Sequence, residues 1–118
     1  MTPALGTFEM LRDATESRDA EAMLALYADD AVMIEYDMRN PPSAPMKLEG
    51  KEDIGRVIRD VCGRDMTHKI RDEVIGTDRF AFTELCEYPD GNLVFSAMVC
   101  DLNDGRIERQ VGLQAWDE

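Results

Sequence analysis

The chain has 118 residues, 44% hydrophobic and 32% charged, with a formal net charge of −12. That length makes one domain, residues 1–118, with enough interior for a core that needs no covalent staples. The acidic surplus excludes nucleic-acid recognition, which needs clustered Lys and Arg, and excludes anionic membrane surfaces for the same reason.

After a loose start at residues 1–3, Leu5, Phe8 and Leu11 recur at helical spacing, with Glu9, Arg12, Asp13 and Glu16 on the other faces. A first amphipathic helix is predicted over residues 4–17. Ser17, Arg18 and Asp19 form a turn, and Asp19 is placed to cap a second helix. Ala20, Met23, Leu24 and Tyr27 give that helix its apolar face and carry it to about Ala28. Asp29 and Asp30 break the pattern, and residues 31–37 read as a strand ending in Glu35 and Asp37. Residues 38–50 contain three prolines, which forbid a helix and a central strand. A surface loop is expected there, long enough to serve as a rim or lid. Ile54, Val57, Ile58, Val61 and Cys62 form the most regular helical stripe in the chain, and Gly63 ends it.

From Arg64 onward the period is two. Residues 66–75 put Met66, His68, Ile70, Asp72 and Val74 on one face. Residues 79–88 put Phe80, Phe82, Glu84 and Cys86 on one face. Residues 93–102 are almost continuously apolar, so both faces of that strand are expected to be covered. Asn103, Asp104 and Gly105 make a tight hairpin into residues 107–116. Helices followed by an antiparallel meander indicate an α+β fold. One curved sheet with helices on one face would enclose a conical interior.

The segments Tyr27-Ala28-Asp29-Asp30-Ala31, Gly50-Lys51-Glu52-Asp53-Ile54, Thr67-His68, Gly76-Thr77-Asp78-Arg79-Phe80, Asp104-Gly105-Arg106-Ile107 and Gln114-Ala115-Trp116 carry a resemblance. The chain resembles the SnoaL-like polyketide cyclase and ketosteroid isomerase group of the nuclear transport factor 2-like superfamily, over about residues 5–116. The resemblance implies three N-terminal helices packed on a strongly curved mixed sheet around a conical cavity, a cystatin-like α+β barrel. It also implies a homodimer formed through the outer face of the sheet. Aligned through Tyr27–Asp30, the isomerase general base falls on Glu35, a Glu where the isomerases usually have Asp. The oxyanion-hole tyrosine falls near Leu11, which has no hydrogen to donate, and its partner acid falls near Ser96 or Ala97. The Arg-Asp-Asp arrangement of the limonene-epoxide-hydrolase-like branch is not visible.

The candidate catalytic residues are therefore Glu35, His68 and Asp101. Glu35 is a general base if burial raises its pKa, and otherwise a strand-end charge. His68, the single histidine, suits proton transfer near neutral pH, or is a structural residue on an apolar face. Asp101 is a buried second acid if its face is interior, or a group tied to the following turn. Candidate ligand contacts are Tyr27, Asp37, Phe82, Glu84, Gln114 and Trp116. Arg109 is placed to pair with an interior carboxylate. Cys62, Cys86 and Cys100 are odd in number, widely spaced and without a C-x-x-C pair. They read as reduced buried thiols of a cytoplasmic protein. A Cys86 nucleophile would need the lone histidine beside it, which the sequence does not require. One His and scattered carboxylates show no metal-ligand spacing, so no metal or cofactor is expected. The function indicated is cofactor-free isomerisation, cyclisation or dehydration of a hydrophobic carbonyl compound. The alternatives are a non-catalytic ligand-binding or dimerisation module of the same fold, or an epoxide-hydrolase-like enzyme.

Overall fold

A computed structural model of the chain describes residues 3–117. Of the loose start expected at residues 1–3, Met1 and Thr2 lie outside the described residues. Pro3 opens helix α1 (Pro3–Glu16), a position where its fixed φ suits the first turn. Ala4, Thr7, Phe8, Leu11, Ala14 and Thr15 are buried; of the face that the helical spacing marks out, Phe8 and Leu11 turn inward with Ala14, and Leu5 is half-buried. Arg18 then takes a left-handed conformation (φ 58) and turns the chain into α2 (Ala20–Leu24).

The Asp19 side chain accepts a hydrogen bond from Ala22 N at 3.1 Å, as expected of an N-cap. α2 is only five residues long, so this cap satisfies a large share of its free N–H groups. Asp19→Ala is expected to cost about 1 kcal/mol in urea denaturation, with no change at the cavity described below.

The second helix stops well short of the expected Ala28, and strand β1 (Tyr27–Tyr36) starts in its place. Helical spacing loses here to pairing with the last strand, β6 (Arg106–Trp116). Ile107 N donates to Leu26 O at 2.9 Å and Tyr27 pairs with Ile107. Asp29 and Asp30 lie inside β1, exposed, where its register with β6 shifts. The proline-bearing segment is not all loop either. Past Pro45, β2 (Met46–Glu49) pairs antiparallel with β1 as an edge strand, where a neighbouring proline is tolerated. Gly50, with φ 86, leads directly into α3 (Gly50–Cys62). Gly63 follows α3 with right-handed φ −79, so it ends the helix without the left-handed cap typical of glycine.

The remaining strands are β3 (Thr67–Ile75), β4 (Arg79–Glu87) and β5 (Leu93–Asn103). The sheet is mixed, in the order β2-β1-β6-β5-β4-β3, with β1 and β6 parallel and all other pairs antiparallel. β2 and β3 are free edges, so the sheet is curved but not closed into a barrel. The helices cover its concave face. There Phe8 of α1 meets Phe80 and Phe82 of β4 at ring-centroid distances of 5.4 and 5.9 Å. No helix among the described residues is long and apolar enough to cross a membrane.

Two bulges reset the faces that strict alternation would assign. Asp72 sits in a left-handed conformation (φ 58) where the register of β3 slips against β4. Met66, His68 and Ile70 point inward before it, but Val74 beyond it is 69% exposed. A second irregularity follows Asp101, where Leu102 pairs with Ile107 and Asp101 with Arg109. The outer face of β5 is not covered by the described residues. Phe95, Val99 and, on β6, Leu113 are exposed, and only the face carrying Ser96, Met98 and Cys100 turns inward.

Candidate active site

Between the helices and the concave face lies a cavity of about 740 Å³. Tyr27, Glu35, Asp37, His68, Phe82, Glu84, Gln114 and Trp116 all line it. Much of the remaining wall is apolar, with Leu11, Met23, Met33, Ile58 and Met98 among the contributors.

Glu35 comes from the inward face of β1 and is 7% exposed. Its partner across the parallel β1–β6 ladder is Gly112, and the carboxylate lies over that glycine. A Cβ at position 112 would fall 2.6 Å from Glu35 Oε2 and 2.9 Å from Oε1. Oε2 is buried with no hydrogen-bond partner among the described residues. Burial, and then the nearby charges of Asp37 and Glu84, push the Glu35 carboxyl up to about 7. Asp37 stands at the rim, two residues along β1. Its Oδ1 accepts hydrogen bonds from Arg39 N at 2.8 Å and Asn40 N at 2.9 Å, so it also closes the turn after β1.

His68, Glu84 and Cys86 form a buried cluster where β3 pairs with β4. His68 and Cys86 are opposite one another in the ladder, and Glu84 is two residues along on the same face. His68 Nδ1 lies 2.8 Å from Glu84 Oε2 and 3.2 Å from Cys86 Sγ, and the Cys86 thiol donates to the same Glu84 oxygen at 3.1 Å. A hydrogen on Nδ1 makes the His68–Glu84 contact a hydrogen bond from ring to carboxylate, and that contact orients the ring. His68 Nε2 is buried and has no partner among the described residues.

Tyr27, expected at a helix end, is instead the first residue of β1 and 2% exposed. Its hydroxyl donates to Gln110 Oε1 at 2.5 Å, and Gln110 Nε2 in turn donates to Met98 Sδ at 3.3 Å. Burial first, and then the nearby Cys100, Glu35 and Glu84, hold the phenol well above its usual range, so Tyr27 stays a neutral donor. Tyr27→Phe leaves the buried Gln110 oxygen short of that donor. A loss of about 1–2 kcal/mol in thermal unfolding is expected.

Asp101 does not join Glu35 and His68. The β5 alternation that turns Ser96, Met98 and Cys100 inward turns Asp101 outward. It lies 2.5 Å from Arg79 Nε and 3.5 Å from Arg109, and these hydrogen bonds and charges hold its carboxyl below the usual range. Arg109 thus pairs with a carboxylate, but on the outer face. The metal expectation also needs correcting in its premise. Cross-strand pairing brings ligand atoms of His68, Glu84 and Cys86 within 4.8 Å of one another, a grouping that linear spacing hides.

A model of the SnoaL-like domain matches residues 8–110 of the sequence. The chain belongs to the SnoaL-like family. No curated protein matches it in sequence. Its backbone is similar to that of an NTF2-like protein of unknown function from Mesorhizobium loti (TM-score 0.84, 17% identity, 96% of this chain and 91% of that one). It is also similar to a Mycobacterium tuberculosis protein in complex with estradiol-17beta-hemisuccinate (TM-score 0.73, 24% identity, 95% and 93% covered). A third similar structure is the Delta 5-3-ketosteroid isomerase from Mycobacterium sp. (TM-score 0.72, 18% identity, 99% and 100% covered). At these identities the likeness is one of fold.

In this SnoaL-like chain, Leu11 and Ser96 line the cavity and Ala97 faces outward. The positions where the resemblance puts the isomerase donors thus hold a hydrocarbon side chain and a buried hydroxyl. Two residues of the site carried no chemical signal in the sequence, and a third, Cys86, carried one that depended on a neighbour. The lone histidine that a reactive Cys86 would need does lie beside it, with His68 Nδ1 3.2 Å from Sγ. Gln110 becomes notable only as the acceptor for Tyr27. Gly112 is marked only by the carboxylate lying over it. The parallel β1–β6 pairing that sets the last two could not be read from local pattern.

Proposed function

We propose that this SnoaL-like chain is an acid–base enzyme acting on an apolar small molecule that bears a carbonyl group. One observation carries the reading. Glu35 Oε2 and His68 Nε2 are the buried side-chain polar atoms without a hydrogen-bond partner among the described residues, and both residues line the same cavity. Buried polar atoms are rarely left unpaired, because an unmade hydrogen bond costs about 1–3 kcal/mol. Two in one apolar pocket are two attachment points for a ligand.

Glu35 takes the proton from the carbon next to the carbonyl. The electron pair moves to the carbonyl oxygen, and Glu35 hands the same proton back to carbon at the far end of the enolate system, while His68, steadied through Nδ1 by Glu84, offers the Nε2 lone pair to a substrate hydroxyl. A carboxyl titrating at about 7 is half ionised at neutral pH, where a general base works best. Isomerisation, cyclisation and dehydration all share this first step. The cavity volume suits a ligand of steroid or small polyketide size. Two proteins of similar fold, one in complex with estradiol-17beta-hemisuccinate and one a Delta 5-3-ketosteroid isomerase, are consistent with that class.

The test is proton–deuterium exchange and turnover over a panel of cyclic ketones. Wild-type exchange, with rates cut by about 10²–10⁴ in Glu35→Gln, is the expected result. Equal rates in both proteins would refute Glu35 as the base. Leu11 and Ser96 at the donor positions favour a second reading, a non-catalytic binding module. Tight binding of the panel without exchange by the wild type would decide for it. We further propose that the exposed apolar side chains Phe95, Val99 and Leu113 seat a second copy of the chain. Sedimentation of Leu113→Glu against wild type checks this: a wild-type dimer that falls to monomer is expected, and a monomeric wild type refutes it.

A further inference from the structure

We infer that His68, Glu84 and Cys86 form a binding site for a thiophilic divalent cation of the Zn²⁺ or Co²⁺ class in the wall of the cavity. Their ligand atoms make a triangle with edges of 2.8, 3.1 and 3.2 Å, and all three residues are buried. Metal–nitrogen and metal–oxygen bonds of about 2.0 Å and a metal–sulfur bond of about 2.3 Å reach one common point above that triangle. The angles at that point are about 90–100°. Opening the triangle by about 0.5 Å makes them tetrahedral. The donors sit on two adjacent paired strands, in register, so the tripod is preformed by the sheet.

The charges match as well. A carboxylate, a thiolate and a neutral imidazole carry two negative charges, which a divalent cation cancels, leaving the buried cluster neutral. Without a cation, burial and then the neighbouring Glu84 hold the Cys86 thiol in its protonated form. A cation reverses that balance. On binding, the thiol proton leaves to solvent and the His68 hydrogen moves from Nδ1 to Nε2. Nε2, which has no partner among the described residues, then becomes a donor toward the cavity, open to an acceptor on a cavity-bound molecule. Three protein ligands leave a coordination position for water or a cavity-bound oxygen. Use of that position in turnover rests on the acid–base reading above. The binding itself does not.

The test is titration of the reduced full chain with Co²⁺ alone, followed by displacement with Zn²⁺. A one-to-one thiolate-to-cobalt charge-transfer band is expected in wild type, lost on adding Zn²⁺. Cys86→Ser should abolish the band and His68→Gln should weaken binding at least tenfold, with Cys62→Ala and Cys100→Ala unchanged. No band in the wild type overturns the site, whether or not the variants fold. A band that survives Cys86→Ser, or is lost in Cys62→Ala or Cys100→Ala, also overturns it. Glu35→Gln keeps the band while losing exchange, so failure of the metal site and failure of the acid–base reading are told apart.

Discussion

Glu35→Gln is expected to make the protein more stable at alkaline pH and close to wild type in stability near pH 4–5, apart from a constant offset. Its carboxyl titrates at about 7 in the folded chain against an ordinary 4.5. Between those values the folded state holds a proton that the unfolded state has lost. Stability therefore falls as pH rises through this window, and the loss is complete above the folded value. At about 1.4 kcal/mol per pH unit the penalty amounts to roughly 3 kcal/mol. Glutamine never ionises and escapes it. Urea denaturation of both proteins from pH 4.5 to 9 is the measurement, read as the difference between them so that other titrating groups cancel. A difference that stays flat across the range would sink the assignment of a buried, desolvated Glu35.

The same substitution is expected to remove about 10²–10⁴ of the exchange rate. A residue whose neutralisation stabilises the fold while abolishing its chemistry is held against the fold's own preference. That opposition is the mark of a working group, and it separates Glu35 from Asp101. Asp101 is also a strand-borne carboxylate, but Arg79 and Arg109 stabilise its charged form on the outer face.

The elements legible in the sequence are those whose pattern is local. The Ile54–Cys62 stripe and the Phe80, Phe82, Glu84, Cys86 alternation follow from burial on one face, and both stand in the structure. What local pattern misses is set by distant partners. Tyr27 belongs to a strand because Ile107 pairs with it across the sheet. Val74 faces outward because a bulge near Asp72 overrules the simple period, whereas Asp101 keeps its period with Ala97 and Val99 and faces outward because that face of β5 is the outer one, which alternation alone does not tell. Residues that converge from single strands, such as Glu35 with Asp37, are visible as candidates. The His68–Glu84–Cys86 cluster needs the β3–β4 register, which no spacing along the chain encodes.

Gly112→Ala is expected to cut the exchange rate by about 10²-fold with little effect on stability. A methyl at position 112 would fall 2.6 Å from Glu35 Oε2, 2.9 Å from Oε1 and 3.0 Å from Cδ, too close for any of the three. Gly112 does not have a positive φ, so alanine fits the backbone, and the three atoms nearest the new methyl all belong to the Glu35 carboxyl group. That carboxylate is the far end of a flexible side chain, which keeps the folding cost low. Its position is the one the chemistry depends on, and displacement by about 1 Å costs about 10²-fold in rate. Shortening the acid supplies the control. In a Glu35→Asp background the carboxylate withdraws by one methylene from position 112, so adding Gly112→Ala should change the remaining rate only slightly. A double-mutant cycle on exchange rate and on urea midpoint reads the coupling directly. Strong coupling in rate with weak coupling in stability identifies Gly112 as the residue that positions Glu35. Equal rate losses in the wild-type and Glu35→Asp backgrounds would mean that the glycine serves the β1–β6 ladder alone.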